Sequence, residues 1–232
     1  MTKTSSLPPI QVLYEDNHLL VVEKPPGLAT AGGKGIDTSL FSQCKEWLRI
    51  KYNKPGKVYL GLVHRLDRPT SGIVVFGKTS KGARRLSEQF RKGEIQKEYW
   101  ALVAGVPSPK EGILEGYLEK IPWKGTWKAR VWDHPHGGTK EASQSYALLK
   151  SKNQISLLLV KPKTGRFHQI RALLAYRGYP ILGDIKYGGP SFPMKGGIGL
   201  QACKITLIHP TRKEILEFQT SYPQYWPLEL KP

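Results

Sequence analysis

The segment from Gly61 to Lys78 restricts the possible folds more than any other part of this sequence. A short apolar run at 58–63 enters the segment and a second run at 73–76 leaves it, and both are typical of strands. Between them lie two Arg, one His and one Asp, followed by a Pro, Thr, Ser and Gly group that indicates a turn. The pattern therefore predicts that Asp67 lies where a strand gives way to a turn.

Arg65 and Arg68 flank this aspartate in the sequence. Neighbouring positive charge favours the ionised form of a carboxyl group, so Asp67 should carry its negative charge. An ionised and well-positioned Asp can act as a nucleophile. A surface Asp that pairs with an Arg near a turn would give the same local pattern, and such ion pairs are common. Local chemistry alone leaves both interpretations open.

The charge balance points to a partner of opposite sign. The chain has 232 residues, enough for one sizeable domain or two small ones. It carries 36 Lys and Arg against 18 Asp and Glu, which gives a formal net charge of +18. Such an excess is typical of proteins that bind polyanions, and nucleic acid is the first candidate. An anionic membrane surface is the second, but the sequence offers no basic amphipathic helix long enough to favour it.

Cysteine usage and hydropathy indicate the cellular setting. Cys44 and Cys203 lie far apart and belong to no Cys/His cluster, which argues against a zinc site and fits a reducing compartment. No apolar run reaches the length of a membrane span, and residues 1–9 lack the apolar segment of a secretion signal. We therefore expect a cytoplasmic protein without membrane association, with a disordered tail at residues 1–9.

Local patterns also predict helices and a central strand. The near-continuous apolar run 155–160 is typical of a strand in the middle of a sheet. The second predicted helix is strongly basic, and its basic face can meet either solvent or phosphate groups. The predicted helices are one from a cap at 37–39 to about Lys51, one from a Ser80 cap to Gly93, and one with a Thr164 cap that ends at Gly178.

One further segment mixes aromatic and cationic side chains: Trp123-Lys124-Gly125-Thr126-Trp127-Lys128. If the two Trp rings are exposed, the segment suits base stacking and phosphate contact. If they are buried, they are ordinary core residues. The sequence leaves both possibilities open.

The motif His64-Arg65-Leu66-Asp67-x-x-Thr70-Ser71-Gly72 resembles the signature of the RluA-type pseudouridine synthases. These enzymes isomerise uridine in ribosomal or transfer RNA, and their catalytic residue is the Asp of this motif. The resemblance extends from about residue 10 to residue 223 through several stretches in the family's order. One of these stretches ends in Lys24-Pro25-Pro26-Gly27-Leu28, and a second contains Lys97-x-Tyr99-x-Ala101-x-Val103. A third is Thr164-Gly165-Arg166-x-His168-Gln169-Ile170-Arg171.

The resemblance implies a role for each matched residue. Asp67 would be catalytic, Tyr99 would pack against the reacting uracil, and Arg171 would pair with Asp67 and keep it charged. Tyr99 as a core residue and Arg171 extended to solvent are the alternatives that the residues themselves allow. Arg65 would enter the gap that the flipped base leaves. Further RNA contacts are implied for His64, Lys24, Lys97, Arg166 and His168.

The implied fold is α+β, with a long, mostly antiparallel curved sheet flanked by helices and an RNA-binding cleft across it. Asp67 would lie at the floor of that cleft, in one catalytic domain from residue 10 to residue 232. Because the match begins near Ile10, we expect no N-terminal S4 RNA-binding domain. Phe167 stands where the family often has Thr, and Ala172-Leu173 where it often has Val-His, which affects fine substrate contacts.

The resulting functional hypothesis is an RNA pseudouridine synthase that acts on a flipped-out uridine. It requires no cofactor and no metal, its partner is rRNA or tRNA, and we expect a monomer. A non-catalytic RNA-binding protein or RNA chaperone on the same scaffold is the main alternative, which the charge of +18 supports equally. Such a binder has no need of Asp67. A nucleic-acid hydrolase would need clustered carboxylates for metal ions, and a DNA-binding protein would show a helix-turn-helix or zinc spacing.

Overall fold

The computed structural model describes residues 9–33, 38–193 and 196–232. These residues form eleven strands, three α-helices and two short 3₁₀ helices. The α-helices are α1 (Leu40–Lys51), α2 (Ser80–Lys92) and α3 (Gln169–Tyr176), and the 3₁₀ helices are Ile185–Tyr187 and Leu228–Leu230. The strands are β1 (Gln11–Glu15), β2 (Leu19–Lys24), β3 (Gly61–Leu62), β4 (Ser71–Gly77), β5 (Gln96–Ala104), β6 (Glu111–Trp123), β7 (Thr126–Trp132), β8 (Lys140–Lys152), β9 (Ile155–Pro162), β10 (Leu200–Ile208) and β11 (Ile215–Gln219).

Contacts between residues divide the chain into two compact units. The first unit comprises Met1–Ile95 and Ile205–Thr220, and the second comprises Gln96–Lys204 and Ser221–Pro232. Each unit is therefore assembled from two separate stretches of the chain. The single domain predicted for residues 10–232 stays a prediction, and residues 1–8 of the predicted disordered tail lie outside the described residues.

In the first unit, the strand order is β1-β2-β4-β10, with β3 paired to β4 and β11 paired to β10. The β1–β2, β2–β4 and β3–β4 pairs are antiparallel. All seven residues of β4 are buried, since the apolar core of this unit lies on one of its faces and α1 contacts its other side through Phe41 and Phe76. Helix α2 packs closely on β4: a Cβ atom at Gly77 would lie only 2.6 Å from the Ala83 backbone. These contacts fix the strand that follows Asp67.

In the second unit, the strand order is β10-β5-β9-β8-β6-β7. The β5–β9, β8–β9, β6–β8 and β6–β7 pairs are antiparallel. Strand β9 has a partner on both sides, which confirms the prediction from its apolar run. Helix α3 packs on β6 and β7, where Leu173 and Leu174 join the core of this unit. Its apolar stripe is what holds the helix against the sheet.

One of the three predicted helix caps agrees with the structure, and two are wrong. Ser39 caps α1 through the backbone N–H of Ser42. Helix α2 begins at Ser80, but its cap is Thr79, whose side chain accepts the Gly82 backbone N–H. Thr164 does not cap α3, which begins only at Gln169. The Thr164 hydroxyl instead donates to the Gln169 side-chain oxygen over 2.6 Å and accepts the Ser143 backbone N–H over 3.0 Å. The predicted and observed starts of α3 differ because a loop separates Thr164 from the helix. The Thr164 hydroxyl therefore bonds to Gln169 and Ser143 and does not act as an N-cap.

The predicted fold class is confirmed. The described strands form mainly antiparallel pairs, and helices pack against them in both units. The curvature of the sheet and the cleft across it stay predictions.

Candidate active site

Asp67 lies in the loop between β3 and β4, at the junction that the sequence predicts. Its side chain is partly buried, and its backbone oxygen accepts the N–H of Thr70 over 3.1 Å to close a turn. Arg65 and Arg68 on either side are exposed. The carboxylate is thus presented from a short turn directly before a fully buried strand, which is a rigid support.

Thr30 anchors this loop from one side. Its hydroxyl donates to the backbone oxygen of Leu66 over 2.8 Å and accepts the Leu66 backbone N–H over 3.1 Å. Thr30 and Leu66 are both buried, so neither backbone group of Leu66 can be satisfied by water instead. The residue before Asp67 is therefore held at both of its polar backbone atoms. Nothing in the sequence around Thr30 indicated this contact.

Lys24 anchors the loop from the other side. Its ammonium donates to the backbone oxygens of Pro25, Leu28 and Arg68 over 2.9, 2.7 and 3.2 Å. Three carbonyls match the three donors of a lysine ammonium. Arg68 also makes two bonds with Gly27, one from its Nε and one to its backbone oxygen, both over 2.9 Å. These hydrogen bonds connect the Asp67 loop firmly to the segment that follows β2.

Burial lowers the pKa of Lys24 to about 7, while the negative charge of Asp67 acts in the opposite direction. The side chain has no exposed surface. Lys24 thus lies buried beside Asp67 and holds backbone groups of the Asp67 loop. Its predicted contact with RNA stays a prediction.

His64 holds the start of the loop. Its Nε2 accepts the backbone N–H of Val75 over 2.8 Å, so the ring carries its proton on Nδ1 when neutral. The ring also stacks on Phe90 of α2, with 4.5 Å between ring centroids. These contacts give His64 a supporting position between β4 and α2. Its predicted RNA contact is untested.

In the second unit, Arg171 and Asp184 form a buried ion pair. The Arg171 side chain donates from Nε to Oδ2 over 2.6 Å and from Nη2 to Oδ1 over 2.8 Å. The Tyr187 ring lies 5.1 Å from the centre of the guanidinium. The Asp184 backbone oxygen also accepts the N–H of Tyr187, so this residue supports a turn as well as pairing with Arg171. The pairing of Arg171 with Asp67 stays a prediction.

Two further predicted residues lie on β5. Tyr99 is partly buried, faces Val160 of β9 across the sheet, and packs against the core of the second unit. Lys97 is two positions earlier, so it shares the face of Tyr99. Burial lowers the pKa of Lys97. Tyr99 and Lys97 thus lie on one strand face, and their predicted contacts with uracil and RNA stay predictions.

The last two predicted site residues, Arg166 and His168, lie in the loop before α3. Arg166 is exposed, and its Nε donates to the backbone oxygen of Glu141 over 2.8 Å. His168 has a left-handed backbone, with φ of 53°, and its Nδ1 is hydrogen-bonded to the Tyr187 hydroxyl over 2.8 Å. Tyr187 therefore contacts both His168 and Arg171. The structure brings these two predicted residues together around one ring.

The described part of the chain contains no group of three or more His, Cys, Asp or Glu arranged to hold a metal ion. Within those same residues, no helix combines the length and the apolar character that crossing a membrane requires. Cys44 and Cys203 are free and buried, and burial raises the pKa of each thiol to about 12.

Comparison with known proteins identifies the family. A family model described as RNA pseudouridylate synthase matches residues 18–176. The chain belongs to this family. A ribosomal large subunit pseudouridine synthase C of Vibrio cholerae is 33% identical over 224 residues, which cover 93% of this chain and 67% of that protein. A protein with the same name from Buchnera aphidicola subsp. Acyrthosiphon pisum is 38% identical over 180 residues, which cover 77% of this chain and 54% of that protein. The chain thus spans between about half and two thirds of the length of these pseudouridine synthases.

Solved structures agree with the fold. Human RNA pseudouridylate synthase domain containing 4 superimposes with a TM-score of 0.76 at 24% identity, over 93% of this chain and 89% of that one. Human RNA pseudouridylate synthase domain containing 1 gives a TM-score of 0.74 at 24% identity, over 99% of this chain and 89% of that one. Both likenesses show that this chain has the fold of those two solved chains.

Proposed function

We propose that this chain is an RNA pseudouridine synthase that isomerises a flipped-out uridine, with Asp67 as the catalytic residue. The observation that carries the proposal is the support of the Asp67 loop: Thr30 holds the residue before Asp67, and Lys24 holds the residue after it. A loop anchored on both sides of one carboxylate is what catalysis requires, because the reacting group must keep its position while the substrate changes. The type of reaction, isomerisation of uridine, is inferred from the family to which the chain belongs.

The reaction itself needs no external group. The bond between N1 of uracil and C1′ of ribose breaks, the base turns, and C5 of the base joins C1′. The proton on C5 leaves to water and N1 takes up a proton, so the product is an isomer of the substrate. An ionised Asp67 can attack the sugar, attack the base or remove a sugar proton, and each route needs the carboxylate unprotonated.

Other residues would bind and orient the substrate. Arg65 is exposed between two anchored residues, so its planar guanidinium suits stacking on bases in the gap that the flipped uridine leaves. Tyr99 would hold the ring of the flipped base. Arg171, already rigid through Asp184, would orient the catalytic carboxylate. These roles belong to the proposal and follow from the matched motifs.

The name that several relatives share, ribosomal large subunit pseudouridine synthase C, supports ribosomal RNA as the substrate class. Transfer RNA is the alternative substrate for the test. The cytoplasmic location and the monomeric state remain predictions.

The test measures release of tritium from C5 of uridine. Wild-type protein is incubated with 5-tritiated rRNA and tRNA transcripts, beside Asp67→Asn and the control Asp133→Asn, which alters an exposed Asp in the second unit. We expect release by the wild type and the control but not by Asp67→Asn, which should bind RNA within a few-fold of the wild type. Release by Asp67→Asn would refute the catalytic assignment. Binding without release from any transcript would favour the non-catalytic RNA-binding protein.

A further inference from the structure

The outer part of the β6–β7 hairpin exposes large aromatic rings. Trp127 is 47% exposed, and Phe167, from the loop before α3, is 41% exposed. One ammonium lies between them: the Lys120 Nζ is 4.5 Å from the Trp127 ring centroid and 5.3 Å from that of Phe167. Trp127 and Phe167 do not belong to the hydrophobic core of this unit. That core lies further along the same strands.

More cations and a third ring adjoin this group. Trp123 is partly buried, with the Lys124 and Lys186 ammonium groups 5.3 and 5.1 Å from its ring centroid. Lys128 lies over the Tyr187 ring at 4.9 Å. We name this region the hairpin surface, and it consists of Lys120, Trp123, Lys124, Trp127, Lys128, Phe167 and Lys186.

In the part of the chain that the structure describes, three lysines of the hairpin surface form no ion pair with an acid. Within the described residues, no carboxylate lies within ion-pair distance of Lys120, Lys124 or Lys128. Their ammonium groups rest on aromatic rings instead. An ammonium on an exposed ring is held only weakly, so a phosphate group would readily bind it instead.

The hairpin surface is also held in place. Strand β7 is an edge strand, and two of its backbone groups are bound by side chains of the neighbouring loop. The Ala129 N–H donates to the Tyr187 hydroxyl over 2.8 Å, and Lys186 donates to the Trp127 backbone oxygen over 2.9 Å. The Phe167 ring stacks on His168 with 3.8 Å between centroids. Because these contacts exist without RNA, the hairpin surface loses little conformational freedom when a ligand binds.

We infer that the hairpin surface binds unpaired nucleotides of the substrate RNA, with bases stacked on Trp127 and Phe167 and phosphates held by the lysines around them. A base would replace the Lys120 ammonium on each ring and leave that ammonium free for the backbone. Unpaired nucleotides fit better than a helix, because base faces are accessible for stacking only where bases are not stacked on one another. The identity of the ligand as RNA rests on the proposed function.

The test compares single-stranded and double-stranded RNA. Binding of a ten-nucleotide single strand, and of its duplex with the complementary strand, is measured by fluorescence anisotropy with the wild type, Trp127→Ala/Phe167→Ala and Lys120→Ala. We expect the double variant to bind the single strand about ten-fold more weakly or worse, with a smaller loss on the duplex. Trp127→Phe keeps a ring for stacking and should bind nearly as the wild type does. The matched control is Tyr225→Ala, which removes a ring that is 49% exposed elsewhere in the same unit.

The same variants separate this inference from the proposed function. In the tritium assay on a long transcript, loss of the two rings should raise KM while kcat stays near the wild-type value. If the wild type releases tritium and the double variant binds single strands as tightly as the wild type, the inference is wrong and the proposed function stands. If no protein releases tritium but the double variant loses single-strand binding, the inference stands and the proposed function fails. Loss of binding to polyglutamate, with single-strand binding unchanged, would assign the surface to an acidic protein and overturn the inference.

Discussion

Arg171 and Asp184 are joined by two hydrogen bonds, from Nε to Oδ2 over 2.6 Å and from Nη2 to Oδ1 over 2.8 Å. Both side chains are almost fully buried. Arg171 belongs to α3, whereas Asp184 precedes the short helix that contains Tyr187, so the pair fixes that loop on the helix. A buried pair of this kind contributes little net stability as a pair but makes the loss of either partner expensive.

We first predict that Asp184→Asn destabilises the protein by about 3–5 kcal/mol, because it removes the carboxylate charge that pairs with the buried Arg171 guanidinium. Urea unfolding of the two proteins measures the difference. The control Asp133→Asn changes an exposed carboxylate and should stay within about 0.5 kcal/mol of the wild type. A loss below about 1 kcal/mol in Asp184→Asn would show that another group compensates the guanidinium.

A second prediction separates the structural role of Arg171 from its predicted catalytic role. Arg171→Leu alone should lower stability, because it leaves Asp184 buried and charged. Arg171→Leu/Asp184→Leu should recover most of that stability, since apolar residues often replace a buried ion pair at little cost. If Arg171 also orients Asp67, the double variant stays inactive in the tritium assay despite its recovered stability. Recovery of activity together with stability would refute the predicted pairing of Arg171 with Asp67.

The third prediction concerns Thr30. Thr30→Val keeps the shape of the side chain but leaves the backbone N–H and oxygen of the buried Leu66 without their partner. We expect a loss of about 1–3 kcal/mol in stability and a fall in kcat larger than the change in KM, because the loop with Asp67 is no longer fixed. Thr30→Ser retains the hydroxyl and should behave nearly as the wild type does. Equal kcat in the Val and Ser variants would exclude a role for this anchor in catalysis.

The sequence predicts those features that depend on neighbours along the chain. The apolar run 155–160 correctly indicated a central strand, and Ser39 and Gly93 correctly indicated helix ends. These signals are local, since a cap bonds to groups within a few residues and strand burial follows directly from composition. The position of Asp67 before a buried strand was predictable for the same reason.

The contacts that hold the site depend on residues far apart in the chain. Thr30 and Leu66 are 36 residues apart, and Lys24 and Arg68 are 44 residues apart. No local pattern indicates such contacts, because a buried Thr or Lys looks like a surface residue in sequence. The Thr164 cap was wrong for a related reason: Ser143 from another strand competes for its hydroxyl. A signal did exist for Asp184, whose partner Arg171 lies in an apolar stripe and needs a carboxylate.

The fourth prediction follows from the buried charge of Lys24. Burial lowers the pKa of Lys24 from 10.5 to about 7. Between pH 7 and 10.5 the unfolded chain therefore keeps a proton on this residue that the folded chain has released. Because the unfolded state binds more protons, the stability of the wild type rises with pH across this window. Relative to Lys24→Met, which has no charge to lose, the gain should approach about 1.4 kcal/mol for each pH unit.

Urea unfolding of the wild type and Lys24→Met at pH 6, 7.5 and 9 checks this prediction. Below pH 7 both states hold the proton, so the difference in unfolding free energy should not depend on pH there. Above pH 7 the difference should shift steadily in favour of the wild type. Lys150→Met, which removes an exposed lysine, should give a difference that stays constant throughout. A constant difference for Lys24→Met up to pH 9 would mean that the three carbonyls around Nζ and the charge of Asp67 keep the ammonium protonated despite its burial.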